Sequence, residues 1–207
     1  MKNSIEIIDV GLGNVASINN MLNHLGYNSR RVKTPLDSLD PKVLILPGVG
    51  SWDYALNKLN EYGWIEFIQK FALIHDKIII GICLGMQLLC NRSEEGIKEG
   101  LNLIPGSFIK FKPDNSLKIP HMGWNQVFFE KKFEFKIENS LTRFYHVHSY
   151  HYNHFDNKYV IGWTNYGKKF PSAIMKNNII GFQFHPEKSH FYGKKLFNYV
   201  LKKYAKL

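Results

Sequence analysis

Three groups of residues could do covalent chemistry together. Gly81-Ile82-Cys83-Leu84-Gly85 sets a cysteine between glycines two positions before and two after it. That is the spacing of a nucleophile elbow, with sulfur in place of a serine hydroxyl. The glycines leave room for a sharp turn from strand to helix, where a Cβ would crowd neighbouring backbone. At the tip of such a turn, unpaired N–H groups and the helix dipole favour a thiolate and can hold an oxyanion. Alone, the motif reads equally well as a buried cysteine at a tight turn. A cysteine nucleophile also needs a base, and the base needs an orienting acceptor. His185-Pro186-Glu187 supplies both within three residues, in the chain order nucleophile first and histidine last. Pro47-Gly48-Val49-Gly50 ends an apolar run and can turn backbone N–H groups outward. The oxyanion donors would be the Leu84 N–H and an N–H of Val49 or Gly50. The chemistry open to this set is acyl transfer through a thioester.

The elements that must position these groups are legible as apolar runs. Ile5 to Val10, Val43 to Leu46 and Lys77 to Ile82 read as largely buried strands. Helices are predicted from Gly11 to about Leu25, with Gly26 as the stop, from Trp52 to Tyr62, from Trp64 to Ile74, and from Cys83 to about Asn91. Beyond Ser93-Glu94-Glu95-Gly96 the pattern changes to short strands broken by Pro105, Pro113 and Pro120. These strands run over Phe108–Phe111, Gln126–Phe129, Arg143–His148, Tyr159–Trp163, Ser172–Met175 and Ile179–Phe184. A closing helix from Ser189 to Lys206 has Tyr192, Leu196, Phe197, Val200 and Tyr204 on one face. The predicted fold is α/β: an open, mostly parallel sheet flanked by helices, with an antiparallel β-rich extension, in one domain over 1–207. In such folds ligands bind outside the carboxyl ends of the strands, where the Gly48–Gly50 loop, the Cys83 elbow and the His185 turn converge.

Composition narrows the class. With 44% hydrophobic residues the 207-residue chain is globular, not disordered. No apolar stretch is long enough to span a bilayer. Met1-Lys2-Asn3-Ser4 runs directly into the first strand without a leader pattern, so a cytoplasmic location is expected. Cys83 and Cys90, on one helix, would be too far apart for a disulfide, which fits a reducing compartment. The net charge of +10 raises nucleic-acid or membrane binding, but the lysines are dispersed, with no arginine cluster or basic stripe, so neither is expected.

Pro47-Gly48-Val49-Gly50, Gly81 to Gln87 and Phe184-His185-Pro186-Glu187-Lys188-Ser189 together resemble the class I, triad-type glutamine amidotransferases. Asp9 to Asn14, Ser93 to Gly96, Pro120-His121-Met122-Gly123-Trp124-Asn125 and His148-Ser149-Tyr150 narrow the resemblance to the glutaminase subunits of imidazole glycerol phosphate synthases. The likeness runs collinearly over nearly the whole chain. It implies hydrolysis of L-glutamine to glutamate and ammonia, with Cys83 as nucleophile, His185 as proton shuttle and Glu187 as orienter. It further implies that Gln87, Glu95, His148 and Ser149 hold glutamine. Asn14, Met122, Trp124, Tyr145 and Lys188 match positions facing a (β/α)₈-barrel cyclase partner, to which ammonia passes in a heterodimer. No cofactor is implied. Glutaminase activity should be low in isolation, because the Val49 region must reorient to form the oxyanion hole.

Two positions depart from the family. His146 stands where an apolar or aromatic residue is usual, and His190 where glutamine is more frequent. Arg143 to His151 and Glu187 to His190 are closer to a paralogous branch in surface-polysaccharide pathways, where ammonia goes to a sugar. His146, His148, His151 and His154 form a histidine-rich run, but only the first two share a strand face, so no metal is expected. Gly11 to Ala16 matches a dinucleotide fingerprint after a strand, with Arg30 and Arg31 placed to meet a 2′-phosphate. A nucleotide-binding module is therefore one alternative, and a stand-alone cysteine hydrolase another.

Overall fold

The computed structural model describes residues 5–112, 117–138, 141–154 and 156–207. Met1 to Ser4 and Pro113 lie outside them. Strands β1 (Ile5–Ile8), β2 (Ser29–Val32), β3 (Val43–Leu46) and β4 (Ile78–Ile82) alternate with helices α1 (Val15–His24), α2 (Trp52–Glu61), α3 (Trp64–Ala72) and α4 (Leu84–Leu88). Then follow β5 (Arg92–Ser93), β6 (Ser107–Lys110), β7 (His121–Phe129), β8 (Arg143–His148), β9 (Tyr150–Asn153), β10 (Val160–Tyr166), β11 (Lys168–Lys176), β12 (Ile179–Phe182) and α5 (His190–Val200). The main sheet has nine strands in the order β2-β1-β3-β4-β12-β11-β10-β7-β8, and a small sheet joins β5, β6 and β9. The five strands from β2 to β12 pair in parallel; β11, β10, β7 and β8 continue antiparallel.

The apolar runs are continuous because both faces of the parallel strands are covered. Val43 and Ile45 point toward Ile18 and Leu22 of α1 and Leu196, Phe197 and Val200 of α5. Leu44 and Leu46 point the other way, toward Trp52, Leu56, Trp64 and Ile68. Last in the chain, β12 is inserted beside β4, with Gly181 against Gly81 and Phe182 against Ile82. That insertion brings His185, about a hundred residues downstream, to the tip of the Cys83 strand.

The structure differs from the sequence reading in several elements, α1 starting at Val15 instead of Gly11 and β11 at Lys168 instead of Ser172. α4 ends at Leu88, not near Asn91, because the carbonyls of Leu88, Leu89 and Cys90 accept N–H bonds from Leu101, Leu103 and Asn102, which fold back over them. Strand β7 begins at His121 instead of Gln126, so the His121–Asn125 motif lies within a strand. β9 and the small sheet were not expected at all. The last helix is α-helical only to Val200 and closes in a wider turn over Leu201–Ala205. Among the described residues no helix is long and apolar enough to cross a membrane.

The arginines placed for a nucleotide phosphate are already engaged. Arg31 binds Asp9 through two contacts at 2.7 and 2.8 Å, and Arg30 lies 3.5 Å from the fully buried Glu6. Glu6 also accepts from the Ser38 hydroxyl and the Leu39 N–H. This acid–base network ties β2 to β1 and argues against the dinucleotide reading.

Candidate active site

Cys83 sits at the turn between β4 and α4 with φ +55°, a left-handed conformation that is strained for a residue with a Cβ. The glycines around it make the turn possible through close approach. A Cβ on Gly85 would lie 1.9 Å from the Leu46 carbonyl oxygen, and one on Gly48 would lie 2.3 Å from the Gly85 nitrogen. The elbow, the end of β3 and the Pro47–Gly50 loop therefore interlock through bare backbone.

The histidine turn is held as firmly. The His185 N–H donates to the Tyr145 carbonyl (2.9 Å). The Ser189 hydroxyl donates to the His185 carbonyl (2.6 Å) and accepts from the Tyr145 N–H (2.9 Å). A Cβ on Gly193 would fall 1.7 Å from the Pro186 oxygen, so α5 packs directly on the turn. His185 Nδ1 lies 2.8 Å from Glu187 Oε1, and both side chains are 3% exposed. That bond leaves Nε2 without a hydrogen-bond partner among the described residues, beside the Cys83 sulfur. Burial alone would lower the His185 pKa, but the adjacent sulfur and then the Glu187 carboxylate outweigh it and raise it to about 10. An imidazolium beside a sulfur anion is the state in which a cysteine attacks.

Cys83 and His185 line one cavity of about 350 Å³ with Val49, Gly50, Leu84, Gln87, Glu95, Val147, His148 and Ser149. Every triad, oxyanion and substrate residue singled out from the sequence except Glu187 thus borders the same space, with Glu187 behind His185. Glu95 Oε2 accepts the Trp52 N–H at 3.0 Å, and burial raises its carboxyl. Two of the oxyanion donors expected from the sequence face other acceptors here. The Val49 N–H is turned away onto the Leu12 carbonyl (3.0 Å), and the Leu84 N–H faces the Gly48 carbonyl (3.4 Å). In this conformation neither donor is available to an oxyanion. Gly50, at φ +101° with open space around it, is a point about which the loop can turn.

The residues expected to face a partner are exposed or half-buried, and most lie beside the His185 turn. Trp124 lies across from Tyr145 in the β7–β8 pair and stacks on His190 at 7°. Lys188 Nζ sits 5.9 Å from the Tyr145 ring centre, Met122 is 61% exposed, and Asn14 caps α1 by accepting the Ser17 N–H.

Sequence reasoning missed the wiring behind the cavity wall. Nitrogens of His121, His146 and His148 all lie within 4.8 Å of one another, and all three residues are buried. His146 and His148 do share a face; the third member, His121, comes from β7. Their hydrogen bonds work against a cation. The Asn125 amide donates to the Asn165 carbonyl (2.8 Å), while its oxygen accepts the Gln126 N–H (2.8 Å), so it turns an N–H toward His121 Nε2 (3.2 Å). His121 therefore carries its proton on Nδ1 and donates to His148 Nε2 (3.1 Å), while His148 Nδ1 donates to the Tyr150 carbonyl (2.7 Å). A metal on His121 Nδ1 would have to displace that proton and the bond to His148. The stacked His121 and His146 rings, inclined by 26°, also keep a cation between them from lying in both ring planes. This relay fixes the backbone of His148 to Tyr150 at the cavity wall.

Burial keeps the three imidazoles neutral. It lowers His121 to about 4 and His148 to about 3, the latter helped by the neighbouring histidines and opposed by the Tyr150 carbonyl. His146 is held well below its usual value by burial and then by His148, His121 and His185, and among the described residues its Nε2 has no hydrogen-bond partner. In the unfolded chain each would take up a proton below about pH 6.5. Their contribution to stability is thus complete above that value and is lost as pH falls toward the folded values, at about 1.4 kcal/mol per pH unit for each histidine. Replacing His146 by phenylalanine, among Phe170 and Phe184, is expected to make the protein less acid-sensitive. Urea unfolding of wild type and His146→Phe at pH 7.5 and pH 5 should show their difference moving by about 2 kcal/mol in the variant's favour at pH 5. An unchanged difference would mean that His146 is not a neutral buried base.

A family model for the class-I glutamine amidotransferases matches residues 6–202, and the chain belongs to that family. Within it, the chain is similar to one kind of subunit. It is 46% identical over 201 residues to the imidazole glycerol phosphate synthase subunit HisH 2 of Methanococcus maripaludis, covering 96% of this chain and 98% of that one. The Pseudomonas aeruginosa protein of the same name is 41% identical, covering 95% and 98%. The subunit HisH of Sulfurimonas denitrificans is 44% identical, covering 93% and 94%. Among solved structures, one described as a glutamine amidotransferase superposes with a TM-score of 0.76 at 16% identity, over 99% of this chain and 100% of that one. At that identity the likeness speaks for the fold.

Proposed function

We propose that this chain is the glutaminase subunit of an imidazole glycerol phosphate synthase. Cys83 attacks the side-chain carboxamide of L-glutamine after its proton passes to His185 Nε2. His185 gives a proton to the leaving nitrogen, ammonia departs, and water drawn by the same imidazole hydrolyses the γ-glutamyl thioester to glutamate. Glu187 holds the ring through Nδ1. Gln87, Glu95, His148 and Ser149 border the glutamine. The observation that carries this reading is the Cys83–His185–Glu187 array opening onto one cavity.

The bond from Val49 to Leu12 supports a resting state. A (β/α)₈-barrel partner, docking on Trp124, Tyr145, Met122, Lys188 and Asn14, would favour the loop turned with its N–H toward the cavity. One preorganised oxyanion donor is worth about 10²–10³ in turnover. Ammonia release by the isolated chain is therefore expected to rise by at least that factor when the partner is added with its ammonia acceptor. Equal rates with and without the partner would reject the resting-state reading.

A second acceptor is favoured by one observation. Arg143 to His151 and Glu187 to His190 are closer to a paralogous branch in which ammonia goes to a surface sugar. Growth without histidine of a strain lacking its own glutaminase subunit, supplied with this chain and its partner, separates the two. Growth is expected for the histidine pathway. No growth from a pair that still releases ammonia would exclude the histidine-pathway acceptor.

A further inference from the structure

Gln183 is a polar side chain in an apolar run, Ile179-Ile180-Gly181-Phe182-Gln183-Phe184, and it is fully buried. The register explains where it ends up. β12 pairs with β4 as far as Phe182 against Ile82, and the Cys83 N–H donates to the Phe182 carbonyl at 2.7 Å. One residue further on, Gln183 stands beside the nucleophile. Its Nε2 lies 3.9 Å from Cys83 Sγ, and its Oε1 accepts from Gln87 Nε2 at 3.2 Å. The side chain spends its hydrogen-bonding capacity on the reacting sulfur and on a residue of the cavity wall.

A buried amide at a strand end costs stability relative to an apolar side chain of the same shape, unless both its ends are paired. Here the pairing has a direction. With Gln87 donating to Oε1, the N–H end must face the sulfur; the flipped amide would set an oxygen lone pair against a thiolate. Two groups compete for the same atom. The Val147 carbonyl, 3.8 Å from Sγ, is an acceptor and favours the neutral thiol. His185, held by Glu187, takes the proton away.

We propose that Gln183 is a further catalytic residue, whose amide N–H donates to the Cys83 thiolate and holds the sulfur in place while Gln87 fixes the amide's orientation. The proton lost from sulfur goes to His185, and Gln183 keeps both of its own. When the S–C bond forms, sulfur becomes neutral and the contact weakens. When water cleaves the thioester, the electron pair returns to sulfur and the same N–H receives the departing thiolate. The proposal rests on Cys83 being the glutaminase nucleophile, but its test does not need glutamine.

The test is the pH profile of Cys83 alkylation by iodoacetamide, followed by mass spectrometry so that Cys90 is scored separately. Gln183→Met keeps the length and removes the donor. Its alkylation midpoint should move up by about one pH unit, with roughly tenfold slower modification at neutral pH. With glutamine, kcat should fall about tenfold while KM stays near the wild-type value. Gln87→Met, which leaves Gln183 in place but frees its amide, should shift the midpoint in the same direction by less. It also guards against a Gln183 variant that fails to fold. Unchanged midpoints in a folded Gln183→Met and in Gln87→Met would overturn the proposal even if turnover fell, since packing alone could slow turnover. A shifted midpoint with no glutaminase activity in the wild type even with its partner subunit present would sink the function reading and leave the thiolate contact standing.

Discussion

Cys83→Ala is expected to lower glutamine turnover by about 10⁴-fold or more, with stability nearly unchanged. The Cβ at this position already exists in the left-handed conformation at φ +55°, so alanine adds no new backbone strain. The sulfur makes long contacts to Val147 and Gln183 and stands beside the His185 imidazole. What is lost is the thioester route, and little else in the site can replace it. Enzymes deprived of a nucleophile retain residual activity largely from a preformed oxyanion hole. Only what the partner-bound loop supplies as an oxyanion hole would remain, since in the isolated chain the Val49 and Leu84 N–H groups are spent on Leu12 and Gly48. His185→Asn should fall to a similar level, and the double variant no further, because the two act as one unit. Ammonia release from glutamine by each variant, with the synthase partner subunit present, is the measurement. Turnover by Cys83→Ala within tenfold of wild type would remove Cys83 from the mechanism.

The second large effect concerns the elbow's geometry. Gly85→Ala would drive a methyl group to 1.9 Å from the Leu46 oxygen and 2.8 Å from the Leu46 carbonyl carbon. Both are backbone atoms of a central strand and cannot swing aside as a side-chain tip could. The substitution either separates β3 from α4 or unwinds the elbow. It is expected to cost about 4 kcal/mol or more, the upper end for a single change. For a chain of this size that is about 8–16 °C in Tm. Gly26→Ala is the control: it also has positive φ, +84°, but a Cβ there meets nothing within 4 Å. Its cost should be about 1 kcal/mol. Thermal unfolding of both variants separates close approach from backbone conformation, and similar losses for the two would show that the elbow is not tightly interlocked.

The contrast between these glycines marks how far sequence reasoning reaches. The spacing Gly81-Cys83-Gly85 is a local signal, and the turn it encodes is local. The same holds for His185-Pro186-Glu187, where base and orienter are two residues apart and need only a short turn to meet at 2.8 Å. The strands β1, β3 and β4 were legible because burial on both faces leaves an uninterrupted apolar run. The helix stripes follow from a period set by the helix itself. The end of α4 was not legible, because it depends on which distant N–H groups reach the Leu88 to Cys90 carbonyls.

The sequence by itself determined the chemistry: a cysteine at an elbow, a histidine with its carboxylate, and a glycine loop at a strand end, in an order that one parallel sheet can assemble. Tertiary structure alone decided which partners those groups meet. It set Gln183 against the sulfur through the β4–β12 register and joined His121 to His148 across a strand pair 27 residues apart. It also turned the Val49 N–H onto Leu12. Strand register and backbone hydrogen-bond choice are collective properties of elements far apart in the chain. At most they leave a trace such as the polar Gln183 or His146 in an apolar strand, which shows that a partner exists without saying which one.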